Sequence, residues 1–216
     1  MKKILILLAF LPFTCSAFSV GVISDLHAGG KSKKTDIDSP KKNFSYFTNA
    51  LSEMKSQGVE VVAVLGDITN SGKKADYKKI LKISKRFGMK MLYVKGNHDN
   101  AKFSILSPTN YIYEKDDVRF IVLDTATKCR IDGCLNTGQE SFLKSNLKTD
   151  KRVIVLQHQP PLQRYNDTPL DLFDDEILVA PEIWSGHWHI PRLFKTIRVF
   201  PALSLNKKLN YSVINL

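Results

Sequence analysis

At 216 residues the chain has the length of one domain, and 43% hydrophobic with 25% charged side chains excludes a disordered or fibrous protein. The formal net charge of +11 leaves an anionic partner open. Charge alone does not establish nucleic-acid binding, because runs such as Lys31, Lys33, Lys34, Lys41 and Lys42, or Lys73, Lys74, Lys78 and Lys79, are usually solvated faces.

In chain order, Lys2 and Lys3 precede the apolar run Ile4 to Phe13 and the small residues Ser16 and Ala17, the layout of a secretory signal peptide over 1–17. The run falls short of the about 20 apolar residues of a membrane span. The expectation is a periplasmic or secreted domain at 18–216, with no stable membrane span after cleavage. Pro12, Phe13 and Thr14 are a poor approach to Cys15 as a lipidation site. The apolar runs Val20 to Ile23, Val59 to Leu65, Met89 to Val94, Val118 to Leu123, Val153 to Leu156 and, more weakly, Ile177 to Trp184 are short and rich in β-branched residues. They predict buried strands alternating with amphipathic segments, an α/β pattern. Phe44, Phe47, Leu51 and Met54, at helical steps between Pro40 and Gly58, predict a first helix. A second spans Ala75 to Phe87, with Tyr77, Ile80, Leu81 and Phe87 inward, its lysines in water and Gly88 as the stop. Cys129 and Cys134 flank a turn at Asp132 and Gly133; in an oxidising compartment they predict a disulfide contributing about 2 kcal/mol, with two free thiols as the alternative. Thr137 and Glu140, spaced as a capping box, announce a third helix carrying Phe142, Leu143 and Leu147. The tail from Ile197 to Leu216 alternates loosely, with two strands around Asn206 to Asn210.

The ends of these runs carry Ser24-Asp25-Leu26-His27, Gly66-Asp67, Gly96-Asn97-His98-Asp99, Gln157-His158 and Gly186-His187-Trp188-His189. In an α/β sheet that edge is where loops from several strands converge and ligands bind. Singly, each residue reads as a core or capping residue. Together they hold all five histidines of the chain with three aspartates and an asparagine, and predict a dinuclear metal site. Mixed imidazole and oxygen donors suit Mn, Fe or Zn, with Co and Ni as further candidates, better than an all-oxygen calcium or magnesium site. Asp25 and His27, like His187 and His189, are two apart, so an extended segment would put each pair on one face. Glycine before Asp67, Asn97 and His187 permits sharp corners there. Two dications against two carboxylates keep about two positive charges, which attract phosphate. A hydroxide between metals about 3.5 to 4 Å apart can attack phosphorus in line with the leaving oxygen. The chain has neither a G-x-x-x-x-G-K-[ST] loop nor a G-x-S-x-G elbow, so nucleotide-loop and serine-hydrolase mechanisms lack support.

The ordered blocks D-x-H, G-D, G-N-H-D, H and G-H-x-H, from Ser24 to His189, resemble the full signature of the calcineurin-like metallophosphoesterases. That resemblance implies a four-layer αββα sandwich of two mixed β-sheets flanked by helices. It implies one metal on Asp25, His27 and His189, a second on Asn97, His158 and His187, and Asp67 bridging them. It implies that His98 contacts the phosphoryl oxygen or protonates the leaving group, with Asp99 holding its imidazole in the working tautomer. Phe120 to Asp124, then Gly133, Leu135, Gln139 and Leu143, then His158-Gln-Pro-Pro161, are similar to the cyclic-nucleotide phosphodiesterase branch. The chain departs from that branch at Gln159, where another histidine is common, and in being short. The expected partner is a small phosphate ester, with nucleotides and cyclic nucleotides among the candidates and nucleic acid not favoured. The rival readings are a non-catalytic scaffold on the same fold and an exported nuclease or lipid phosphohydrolase. Asp124 is open between supporting the metal site and capping a turn. Trp188 is expected to pack in the core rather than stack on substrate.

Overall fold

The apolar runs form strands because their β-branched and aliphatic side chains can be buried on both faces of a pleated sheet. In the computed structural model, which describes residues 18–30, 40–129, 131–162, 181–205 and 208–216, they sort into two mixed sheets. The first has the order β12 (Ser212–Asn215), β1 (Ser19–Ile23), β2 (Val61–Leu65), β3 (Lys90–Val94); β1, β2 and β3 are parallel and β12 is antiparallel to β1. The second has the order β4 (Tyr111–Lys115), β5 (Val118–Val122), β6 (Arg152–Leu156), β7 (Glu182–Ser185), β9 (Ile197–Val199), β8 (Arg192–Phe194). Its inner strands are parallel and its edges β4 and β8 antiparallel. A small ribbon pairs β10 (Ser204–Leu205) with β11 (Lys208–Leu209). The predicted signal segment, Lys31 to Lys34 and residues 177–180 of the sixth predicted run lie outside the described residues. Among the described residues, no helix is long and apolar enough to cross a membrane.

Side-chain alternation along these strands builds three apolar layers. Phe44, Phe47, Leu51 and Met54 of α1 (Asn43–Ser56), with Tyr77 and Ile80 of α2 (Lys74–Lys85), cover Ile23, Val62 and Val64 on the outer face of the first sheet. Val20, Val22, Val61, Ala63, Leu65, Leu92 and Val94 meet Val118, Phe120, Val122, Ile154, Leu156 and Trp184 between the sheets. Leu143 of α3 (Thr137–Asn146) covers Ile121, Leu123, Val155 and Ile183 on the far side. The result is the expected αββα sandwich. Burying each large aliphatic side chain contributes roughly 1.5–3 kcal/mol to it.

The local differences have local causes. The capping box of α3 sits one residue earlier than Thr137 and Glu140: Asn136 Oδ1 accepts from Gln139 N at 3.0 Å, and Gln139 Oε1 accepts from Asn136 N at 2.9 Å. Asparagine caps as well as threonine does, and Gln139 also ties the helix to the preceding loop by donating to Asp124 O at 2.6 Å. In α2 the inward positions include Ile83, while Leu81 and Phe87 are only partly covered. Cys129 and Cys134 form the predicted disulfide, with Cα atoms 5.4 Å apart.

Candidate metal centre

Five of the parallel strands deliver a motif at their C-terminal ends: β1 leads to Asp25 and His27, β2 to Asp67, β3 to Asn97, His98 and Asp99, β6 to His158, and β7 to His187 and His189. The two sheets end side by side, so the site straddles them; Asn97 Oδ1 is 3.1 Å from His158 Nε2. The segments are not extended, contrary to the spacing argument for Asp25–His27 and His187–His189. Asp25, His27, Asp67, His187 and His189 adopt φ of 49°, 44°, 46°, 69° and 62°. Left-handed backbone costs about 1–2 kcal/mol per L-residue and persists only where the surroundings over-determine it. Here His27 N donates to Asp67 O at 2.7 Å, and His187 N donates to Asp25 Oδ2 at 3.0 Å. Trp188, buried in the core as predicted, anchors the turn between His187 and His189. Two glycines admit the close approaches. A Cβ on Gly66 would lie 2.3 Å from His158 Nδ1, and one on Gly96 2.1 Å from the Asp67 nitrogen.

The seven predicted ligand side chains are brought together. Asp25, His27 and His189 form one group able to hold a cation, and Asp67, His158 and His187 another, with the donor atoms of each within 4.8 Å of one another. Asp67 Oδ2 lies 3.4 Å from both His27 Nε2 and His158 Nε2, and Asp25 Oδ1 lies 3.5 Å from His189 Nε2. His158 Nδ1 faces the Leu65 carbonyl at 2.9 Å; a carbonyl only accepts, so Nδ1 carries a proton and Nε2 is the nitrogen turned inward, toward Asn97 and Asp67. The fit to a cation is clearest at His27, whose two ring nitrogens are buried without a hydrogen-bond partner among the described residues. Such an atom costs about 1–3 kcal/mol unless something satisfies it. Two ligand atoms on one ion at about 2.1 Å and a tetrahedral angle lie about 3.4 Å apart, the separation seen around Asp67.

The electrostatics agree with a cation site. Burial alone would raise Asp25 and Asp67, yet neighbouring imidazoles hold both below the ordinary carboxylate range, so two negative charges stay in the centre. Burial lowers His27 and, with the charge of His158, brings His187 down to about 4, which keeps their lone pairs available. At His158 burial is outweighed by the carboxylate of Asp67, and its pKa rises to about 9.

His98 stands at the mouth with its side chain 42% exposed, Nε2 4.0 Å from Asp67 Oδ2 and Nδ1 3.3 Å from the Asn70 carbonyl. Asp99 is therefore not its orienting partner, as the resemblance implied; the Asn70 carbonyl takes that place. The Asp99 carboxylate turns back beneath the site to accept from the amides of Gly96, Ile68 and Thr69, each at 3.1 Å, and from Tyr77 Oη at 2.9 Å. Burial and the charge of Asp67 raise it to about 6 against those hydrogen bonds. Sequence reading missed Asn70, Thr69 and Tyr77, and also Ser24, whose hydroxyl donates to Asp25 Oδ2 at 2.5 Å. Ser24 and Thr69 had a signal, since each lies within two residues of a ligand; Tyr77 had none. Asp124 caps its own turn, accepting from the amides of Ala126 and Thr127 at 3.0 and 2.9 Å. Gln159 accepts from Thr125 Oγ1 at 2.6 Å.

The model of the calcineurin-like phosphoesterase family matches residues 18–191. The chain is similar to a probable cyclic nucleotide phosphodiesterase of Coxiella burnetii, 23% identical over 161 residues that cover 69% of this chain and 63% of the relative. It is also similar to a probable glycerophosphodiester phosphodiesterase of Arcobacter nitrofigilis, 27% identical over 158 residues, 65% of this chain and 56% of the relative. It thus spans about three fifths of the length of these two relatives. A dimetal phosphatase from Danio rerio shares the fold, with a TM-score of 0.72 at 13% identity over 91% of each chain.

Proposed function

The chain belongs to the calcineurin-like phosphoesterase family, and from that membership we propose that it hydrolyses small phosphodiesters or phosphomonoesters at a two-metal centre. In this reading Asp25, His27 and His189 hold one divalent cation, Asn97, His158 and His187 hold the second, and Asp67 is shared. The observation that carries it is His27: two buried ring nitrogens with no hydrogen-bond partner among the described residues, beside two carboxylates held ionised. When bound, the cations supply Lewis acidity toward the phosphoryl oxygens and an attacking water. The chain's own residues do the rest. Asp25 and Asp67 hold the centre's charge low enough to assemble and leave it net positive toward phosphate. The partly exposed His98, oriented through Nδ1 by Asn70, presents Nε2 to a phosphoryl oxygen or to the departing alkoxide as a proton donor. The relatives named for cyclic nucleotide and glycerophosphodiester cleavage favour diesters. Export through a signal peptide at 1–17 belongs to the same proposal, supported by the Cys129–Cys134 disulfide, which suits an oxidising compartment.

The test supplies purified protein with Mn, Zn, Fe, Co or Ni and an aryl phosphate diester, an aryl monoester or a cyclic nucleotide. Metal-dependent turnover is expected, with Asp67→Asn and His98→Ala each lowering it by at least about 100-fold. Full activity in both variants would sink the site assignment, and metal uptake without turnover of any ester would favour the scaffold reading.

A further inference from the structure

Tyr77 sits on α2, carries no proposed ligand beside it in sequence and is fully buried. Its hydroxyl donates to Asp99 Oδ1 at 2.9 Å and accepts from Asn100 N at 3.2 Å. Asp99 in turn holds the amides of Ile68, Thr69 and Gly96, and accepts from Thr69 Oγ1 at 3.2 Å. One hydroxyl thus joins three pieces: the helix, the turn that carries Asp67, and the turn that carries Asn97 and His98. A second tie closes the same circuit, since Gly72 N donates to Thr69 Oγ1 at 3.0 Å and Asn100 Nδ2 donates to the Gly72 carbonyl at 2.9 Å.

Two considerations separate this from ordinary packing. Asp67 is held at a φ of 46°, and the two amides that follow it are the ones Asp99 engages, so the strain at Asp67 is confined by this carboxylate. The other fully satisfied tyrosine of the same layer, Tyr93, bonds Ser84 instead and engages neither turn through its hydroxyl. Phenylalanine already fills neighbouring places in that layer at Phe44 and Phe47, so apolar packing does not require an oxygen there.

We infer that Tyr77 is a positioning residue of the metal centre: through Asp99 it fixes the spacing between the turn of Asp67 and the turn of Asn97 and His98. This rests on the proposed two-metal reading for the metal it positions, whereas the tie between the turns is measurable without metal. The test compares Tyr77→Phe with Tyr93→Phe in the full chain. In metal-free protein, amide exchange at Ile68 and Thr69 is expected to quicken about tenfold in Tyr77→Phe, the equivalent of one lost hydrogen bond to a charged group, and to stay unchanged in Tyr93→Phe. In calorimetric titration with Mn(II), Tyr77→Phe is expected to lose about 10- to 100-fold in affinity and Tyr93→Phe none, although both lower Tm. With an aryl diester, kcat of Tyr77→Phe falls at limiting Mn(II), recovers in excess Mn(II), and KM holds. If Tyr77→Phe does not fold, Thr69→Val, which removes another donor to the same carboxylate, carries the same expectations. Equal exchange rates and equal Mn(II) affinities in the two tyrosine variants would make Tyr77 an ordinary core residue and overturn the inference alone. A wild type that takes up no Mn(II) would overturn it together with the two-metal reading.

Discussion

Gly96 leaves no room for a side chain, because the atom a Cβ would meet at 2.1 Å is the backbone nitrogen of Asp67, which cannot swing aside. Gly96→Ala is therefore expected to lower stability by about 1–3 kcal/mol in urea denaturation and to displace Asp67, with Mn(II) uptake lost in the same protein. An unchanged midpoint with unchanged uptake would show that the two turns can part freely. This glycine was legible in the sequence, since it precedes a polar residue at a strand end. The left-handed ligands were not anticipated, although Asp and His are among the few side chains that tolerate positive φ. The role of Asp99 was misread because adjacency to His98 is a one-dimensional relation. Its amide folds back onto the Gly96 carbonyl at 3.1 Å and aims the carboxylate at Thr69 and Tyr77, which lie 30 and 22 residues away in sequence.

Elements were legible in proportion to their burial. β1, β2, β3, β5 and β6 are covered on both faces along most of their length, so their apolar runs announced them, while the short edges β4 and β8 interrupt their apolar residues with the exposed charges Glu114 and Arg192 and gave no such run. The cap of α3 was found one residue late, and the correction is testable. Asn136→Ala should cost about 1 kcal/mol in urea denaturation, against only a few tenths for Thr137→Ala; the reverse order would restore the cap to Thr137. The second sheet holds a further element-scale device, in which Glu182 of β7 accepts from Arg152 Nη2 of β6 at 2.6 Å and lies 2.9 Å from Arg198 Nε of β9. Burial would raise Glu182, but hydrogen bonds from Trp184 and Arg152 and the two arginine charges hold it below its ordinary value of 4.5. A carboxyl with a depressed folded pKa stabilises above the unfolded value and loses that contribution as pH falls through the folded one. Wild type should therefore exceed Glu182→Gln in stability at pH 7, with the gap closing as pH drops below about 4.5. A gap that stays constant from pH 7 to pH 3 would mean that Glu182 contributes only packing.

At the scale of the whole molecule, apolar runs show that strands are buried but not which sheet each joins, so the α/β class was legible from the residues while the pairing of two sheets came from the family resemblance. That pairing has a consequence for stability. Asp25, His27, Asp67 and Asn97 hang from the first sheet, and His158, His187 and His189 from the second. A pair of cations shared by these residues would cross-link the sheets at their common edge, adding to the contact of aliphatic and aromatic faces between them and to polar ties such as Tyr111 Oη donating to the Tyr93 carbonyl at 3.1 Å. Binding to the folded state alone stabilises by about 2.7 kcal/mol at a hundredfold excess over Kd. For a domain of this size that raises Tm by roughly 5 to 10 °C. Thermal melts in Mn(II) and in chelator should differ by that amount, and Asp67→Asn should shrink the difference, because the residue between the two groups is the one both cations would need. A wild-type Tm indifferent to Mn(II) and chelator would mean that the convergent side chains hold the sheets together by their own hydrogen bonds and charges, and the two-metal reading would fail on stability before any substrate was tried.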